Sequence, residues 1–368
     1  MIPIYSPILG SIETENVIKT ITTGWISSQG QFIPQFEEQF AQWNFMKYGI
    51  ATSNCTAALH LALVALGIGK GDEVLCPDLT FIAPANMIKW AGASPVLVDI
   101  EEPSWGIDSK KMEERITKKT KAIIVVHPFG HVANMDPILQ ISEKYNLFVI
   151  EDVAEAPGAA YKGKRAGSFG DASCFSFFAN KIMTTGEGGI VLTNNHALNK
   201  QLQIYRDHGM SRERRYVHVV PGFNYRMTNM QAAIGVGQIQ KLDKIIRSRA
   251  DQERRYKDLF LDNPRIKWRP VAKWCDNVHW MATITLREER LRDLLLVYMR
   301  TQGVDCRQMV YPIHMAKPYS SRNSPSDYPI SNSISLRSLH LPSSFNLSIE
   351  EQRRITDLVQ EWLERNDP

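Results

Sequence analysis

Phe177-Phe178-Ala179-Asn180-Lys181-Ile182-Met183-Thr184-Thr185-Gly186-Glu187-Gly188-Gly189 is the stretch on which the fold turns. The residues leading into it, Ser173–Phe178, read as a strand with no charged side chain. The glycines at its end let the backbone turn sharply into a second β-rich run, Gly189–Thr193. Lys181 therefore sits on a turn between two predicted strands. Upstream, the apolar run Leu147–Ile150 closes on the carboxylates Glu151-Asp152. Other runs of the same kind are Tyr48–Thr52, Glu73–Cys76, Pro95–Ile100 and Ala122–Val126. Several are continuously apolar, as strands covered on both faces are. Helical stretches lie between some of them, among them Thr56–Leu66, apolar nearly all round, and Met135–Tyr145. Successive units of this kind predict a doubly wound α/β domain with its site at the carboxyl ends of the strands.

The pattern changes after about residue 240. Lys241–Leu261 predicts a long charged helix, Met281–Leu286 a half-buried strand and Glu289–Thr301 another helix. Ser348-Ile349-Glu350-Glu351 is a capping-box signature for a last helix reaching about Leu363. We divide the chain into a large domain, residues 1–240, and a smaller α+β domain, residues 241–368. The segment Tyr319–Ser335, rich in Ser, Pro and Asn, predicts an exposed loop.

Composition excludes several classes. An apolar fraction of 43% and a charged fraction of 22% are those of a soluble globular protein. A net charge of +4 on 368 residues does not point to nucleic acid. The basic stretch Arg206–Arg226 reads as a solvated loop or as a grip for a phosphorylated ligand. A DNA-binding regulator is the distant alternative it prompts. The five cysteines are scattered with no C-x-x-C pair, which argues against a disulfide framework or zinc site and for a reducing cytoplasm. The first residues lack the charged start and apolar core of a signal peptide, and no apolar stretch approaches the roughly 20 residues a membrane helix needs. The expected location is cytoplasmic, with no membrane partner and no metal.

The chemistry follows from three residue types. A lysine amine condenses with an aldehyde to a Schiff base, and its proton is easier to remove when the side chain is buried. A strand-end carboxylate such as Asp152 pairs with a protonated pyridine nitrogen. Ser53-Asn54-Cys55-Thr56 lies where a strand hands over to a helix, whose first N–H groups attract an anion. The same residues also serve as a plain N-cap, by Ser53, Asn54 or Thr56. Glu155 would lie one turn beyond Asp152 if a helix began there. Lys181, Asp152 and Ser176 together are the parts needed to hold pyridoxal phosphate.

The chain resembles the DegT/DnrJ/EryC1/StrS family of sugar aminotransferases, within fold type I of the pyridoxal-phosphate enzymes. The resemblance runs through Gly24–Gly30, Ser53–Thr56, Thr80-Phe81, Glu151–Glu155, Phe177–Gly189, Asn224–Asn229 and Tyr311-Pro312-Ile313-His314. It implies a large domain with a mixed, mostly parallel sheet flanked by helices, preceded by an N-terminal arm, and a smaller C-terminal α+β domain. It also implies roles. Lys181 would hold the cofactor and then act as the acid–base, and Asp152 would pair with the ring nitrogen. Glu155 would approach the ring oxygen, and Phe81 would stack on the ring. Ser176 and the amides of Cys55 and Thr56 would hold the phosphate, joined by Asn224 from the neighbouring subunit of a homodimer. Ser27, Arg226 and His314 would lie on the substrate side. The reaction implied moves an amino group from L-glutamate, through pyridoxamine phosphate, to a nucleotide-linked 4-keto-6-deoxy sugar of the GDP-4-keto-6-deoxymannose type. A UDP- or dTDP-linked sugar, or amination at C3, is the alternative. Cys55 and Ala179 stand where the family usually has glycine. Relatives that dehydrate sugars carry histidine at the lysine position, so Lys181 argues for transamination.

Overall fold

The computed structural model describes residues 1–261 and 263–367. The first strands in chain order are β1 (Tyr48–Thr52), β2 (Glu73–Pro77), β3 (Ser94–Val98), β4 (Thr120–Val126), β5 (Phe148–Asp152), β6 (Ala160–Tyr161), β7 (Lys164–Arg165), β8 (Ala172–Ser176) and β9 (Gly189–Thr193). A seven-stranded sheet runs β1-β9-β8-β5-β4-β2-β3. Strand β9 opposes its neighbours β1 and β8, and the other pairs are parallel. The sheet is thus mixed and mostly parallel, as expected of fold type I. Helices cover both faces, because β4 and β8 are buried along nearly their whole length. Strands β8 and β9 are joined directly across the lysine turn, without a crossover helix.

Four further strands, β10 (Lys267–Trp268), β12 (Ala282–Thr285), β13 (Arg307–Gln308) and β14 (Ser338–Leu341), form a second sheet in the order β10-β12-β14-β13. Between them in sequence, β11 (Cys275–Asp276) pairs instead with β6 and so ties this region back to the first. The helices Leu242–Phe260, Glu289–Thr301 and Ile349–Asn366 pack on the second sheet around Tyr256, Leu295, Ile355 and Leu363. In the last helix the capping box is complete: Glu351 N–H donates to Ser348 Oγ, and Ser348 N–H to Glu351 Oε2.

The loop expected at Tyr319–Ser335 is not one. Short 3-10 turns at Ser320–Arg322 and Pro325–Asp327 lead into a helix, Pro329–Arg337, and Tyr319, Tyr328, Ser331 and Ser335 are buried. The cause lies far away in sequence. The Asp99 carboxylate, just beyond β3, accepts hydrogen bonds from Ile330 N, Ser331 N and Ser331 Oγ. It also pairs with Lys111 at 2.8 Å. A cap supplied from more than two hundred residues away leaves no local signature.

Candidate active site

The carboxyl ends of the parallel strands and the start of β9 share one edge of the large sheet. Register brings the predicted groups to it. Asp152 pairs with Cys174, and Ser176, two residues further along β8, lies on the same face. Gly189 pairs with both Ser176 and Thr52. A Cβ at Gly189 would meet Asn54 C and Cys55 N at 2.5–2.6 Å, so only glycine lets the helix Cys55–Ala65 begin there. Of the candidate caps, Asn54 is the one used: its side chain accepts from Ala57 N at 2.8 Å. The N–H groups of Cys55 and Thr56, in the first turn, lie outside the helical ladder and remain available to an anion.

Burial gives this edge its electrostatics. Burial pushes the Asp152 carboxyl up to about 6, against a hydrogen bond from Ala154 N–H at 3.0 Å. A carboxylate desolvated in this way favours a cationic partner. The Cys55 thiol is raised well above its usual value by burial first, then by Asp152 and Cys174; Lys181 and Glu155 act on it with opposite signs. Four side chains of the expected site, Cys55, Asp152, Glu155 and Lys181, therefore share one electrostatic neighbourhood at the helix start.

Lys181 is anchored by the core beneath it. Phe177 is buried with its ring edge-on to Phe36 and Phe40, at 5.2 and 5.1 Å. The turn is closed by Phe177 N to Gly188 O and Thr185 N to Phe177 O, both 2.9 Å. Lys181 Nζ lies 3.4 Å from Glu155 Oε1. Glu155 is on a turn and not a helix; its Oε2 accepts from Phe129 N at 2.9 Å. The neighbouring Glu151, read from sequence only as Asp152's companion, is buried. It accepts from His127 Nε2 and from the N–H groups of Gly167, Phe169 and Gly170. His127 Nδ1 accepts from Ala133 N, which assigns the ring proton to Nε2.

The remaining candidates are spread out. Phe81 is exposed between β2 and the helix Ala83–Trp90. Ser27 is exposed on a turn whose carbonyl accepts from Asn229 N. Asn224 and Arg226 bond to each other at 3.0 Å, and Arg226 pairs with Asp207 at 3.1 Å. Their segment bridges to Thr52, and Ser53 N donates to Tyr225 O. His314 is buried: Asp78 takes both its N–H and its Nδ1 at 2.8 Å, and its ring stacks on Tyr328 at 4.6 Å. Arg212, Arg214 and Arg215 lie on an exposed loop. Among the described residues no cluster of three or more His, Cys, Asp or Glu side chains is arranged to hold a metal, and no helix is long and apolar enough to cross a membrane.

Sequence reasoning missed Tyr5 and Trp280. Tyr5 Oη donates to Lys181 O at 2.7 Å, and Trp280 Nε1 to Asn180 O at 2.7 Å. The Trp280 ring lies 3.9 Å from Lys181 Nζ. Neither contact has a local signal, since the partners are 176 and 100 residues apart.

The model of the DegT/DnrJ/EryC1/StrS aminotransferase family matches residues 7–360. The chain is 41% identical over 363 residues to GDP-perosamine synthase of Escherichia coli O157:H7, covering 98% of each chain. It is 42% identical over 366 residues to GDP-perosamine synthase of Caulobacter vibrioides, again covering 98% of each. Among solved structures, Spr1654 of Streptococcus pneumoniae in a PLP form matches with a TM-score of 0.93 at 27% identity, over 99% of each chain.

Proposed function

This chain belongs to the DegT/DnrJ/EryC1/StrS aminotransferase family and is a sugar aminotransferase, and on that premise we propose that it binds pyridoxal phosphate through Lys181 and aminates C4 of GDP-4-keto-6-deoxymannose. The amino donor in this reading is L-glutamate. The substrate rests on the two GDP-perosamine synthases that share about two-fifths of its residues over almost their whole length. The cofactor rests on one observation above all: Asp152 and Lys181 both act on the Cys55 thiol, which sits at the start of the helix Cys55–Ala65, where the first N–H groups have no helical partner. That donor set fits an aldehyde, a protonated ring nitrogen and a phosphate.

When bound, pyridoxal phosphate supplies an electron-withdrawing ring that stabilises negative charge on the carbon losing its proton. The chain's own residues orient and move protons. Asp152, costly to ionise alone, would be stabilised as the anion by a positive ring nitrogen. Cys55 N–H, Thr56 N–H and Ser176 Oγ would hold the phosphate, and Asn224 of a second subunit would complete the grip. Phe81, exposed beside this edge of the sheet, would cover one ring face. Lys181 Nζ would be the group that takes up and returns the proton, and Glu155, 3.4 Å away, would keep the amine in place for it. Ser27, Arg226 and His314, the last held by Asp78, would lie on the side of the sugar nucleotide. The exposed apolar side chains Ile18, Ile21, Trp25 and Ile26 support a homodimer.

The test is incubation of purified enzyme with glutamate and a panel of GDP-, UDP- and dTDP-linked keto sugars, with products identified by mass and NMR. The expected product is the C4 amine of the GDP sugar. Preference for a UDP or dTDP sugar, or amination at C3, overturns the substrate. Multiple turnover by Lys181→Ala overturns the mechanism.

A further inference from the structure

The lysine turn presents two consecutive carbonyls, Asn180 O and Lys181 O, and each is taken by a side chain from outside the sheet that bears the turn. Trp280 Nε1 donates to the first and Tyr5 Oη to the second, each at 2.7 Å. Both donors are rigidly backed. The Trp280 ring is buried and stacks on Phe129 at 6.2 Å with 12° between planes. Its backbone is brought in against Gly130, whose φ is +87° and where a Cβ would meet His279 N and Trp280 N at 3.0 Å. Tyr5 lies under the fully buried Arg249 guanidinium, 4.9 Å from its ring. The segment carrying Tyr5 is tied to the C-terminal region by an Ile2–Val304 bridge and by Ser343 N donating to Ile4 O at 2.8 Å.

The side chain is constrained as well as the backbone. Lys181 Nζ lies 3.9 Å from the centre of the Trp280 ring and 3.4 Å from Glu155 Oε1. An ammonium between an aromatic face and a carboxylate is attracted by both. Phe129 joins the two, since its ring backs Trp280 and its N–H holds Glu155 Oε2.

We propose that Trp280 and Tyr5 are positioning residues for Lys181: they grip its turn from the C-terminal region and the N-terminal segment, and the Trp280 face is where the amine docks while it is not bonded to the cofactor. The proposal rests on Lys181 being the catalytic lysine. A lysine that relays a proton must return to one spot in each half-reaction, and a backbone fixed at both carbonyls with a docking face for the amine provides that.

The test uses the full-length enzyme with Tyr5→Phe, Trp280→Phe and Trp280→Leu. Trp280→Phe keeps an aromatic face but removes the N–H donor, and Trp280→Leu removes both. Three readouts are followed: uptake of pyridoxal phosphate by cofactor-stripped enzyme, seen as growth of the visible absorption band; the single-turnover rate with glutamate; and the isotope effect with glutamate deuterated at the α-carbon. Tyr5→Phe and Trp280→Phe are expected to slow cofactor uptake and the glutamate step about 2- to 12-fold, the span that loss of about one hydrogen bond predicts. The isotope effect should rise while glutamate KM stays unchanged. Trp280→Leu should lower both rates further, and Trp280→Phe should recover part of that loss. Wild-type rates and isotope effect in folded Tyr5→Phe and Trp280→Phe would overturn the proposal, as would a change in KM alone or in melting temperature alone. Lys181→Ala is assayed beside them. If it turns over, the parent reading fails; if it is dead while the other variants match wild type, only this proposal fails.

Discussion

Replacing Asp152 with asparagine should stabilise the cofactor-free protein while crippling the loaded one. Asp152 lies buried at the end of β5, and burial lifts its carboxyl from 3.8 to about 6, more than the Ala154 N–H and the Lys181 charge can offset. The folded chain therefore binds this proton more tightly than the unfolded chain. Stability from this group is highest below the unfolded value, falls as pH rises from about 4 to 6, and then levels. Each tenfold difference in proton affinity is worth about 1.4 kcal/mol, so the ionised side chain costs about 3 kcal/mol at pH 8 and only about 0.5 kcal/mol at pH 4. Asparagine keeps an oxygen for the Ala154 N–H, which lies 3.0 Å from Asp152 Oδ1. Urea unfolding of cofactor-stripped wild type and Asp152→Asn at pH 4, 6 and 8 should show a gap in favour of the variant that opens with pH to about 3 kcal/mol. With pyridoxal phosphate bound, the order should reverse, because a cationic ring nitrogen would face a neutral amide. A gap independent of pH, or no gain at pH 8, would refute the reasoning that Asp152 is held for a positive partner.

Lys181→Ala should abolish turnover and the visible band of the holoenzyme, read by absorbance and product formation. Phe177→Ala removes the edge-on contacts beneath the lysine turn and should destabilise the fold by about 3–5 kcal/mol in denaturant unfolding. Asp99→Ala strips the cap from the helix Pro329–Arg337 and should cost about 1–2 kcal/mol, with faster amide exchange at residues 329–337. Burial opposes ionisation of Glu253, yet the hydrogen bond from His279 and the nearby Arg269 and Lys257 charges win and hold its carboxyl down to about 2. That stability is fully present above about pH 4.5 and is lost as pH falls toward 2. Glu253→Gln should flatten the acid-side decline in an unfolding profile.

The α/β order, the strand runs and the lysine turn were legible because apolar period and charge-free runs report burial locally. Strand ends fell within a few residues of Asp152 and Ser176 for the same reason. The capping box at Ser348 was legible since both of its partners lie within four residues. Tyr319–Ser335 was misread because its helix is capped by Asp99 and its tyrosines are buried by distant partners, while its composition alone speaks for a loop. Choosing Asn54 among three possible caps took the backbone itself.

By itself, then, the sequence determined which chemical groups this protein owns and that Asp152 and Ser176 lie at strand ends and Lys181 on a turn, since these are properties of neighbouring residues. Only the tertiary structure decided how those groups are charged and held. Asp152's reluctance to ionise comes from burial, and Lys181's grip comes from Tyr5 and Trp280. Burial and long-range hydrogen bonds exist only once chain segments a hundred or more residues apart have met.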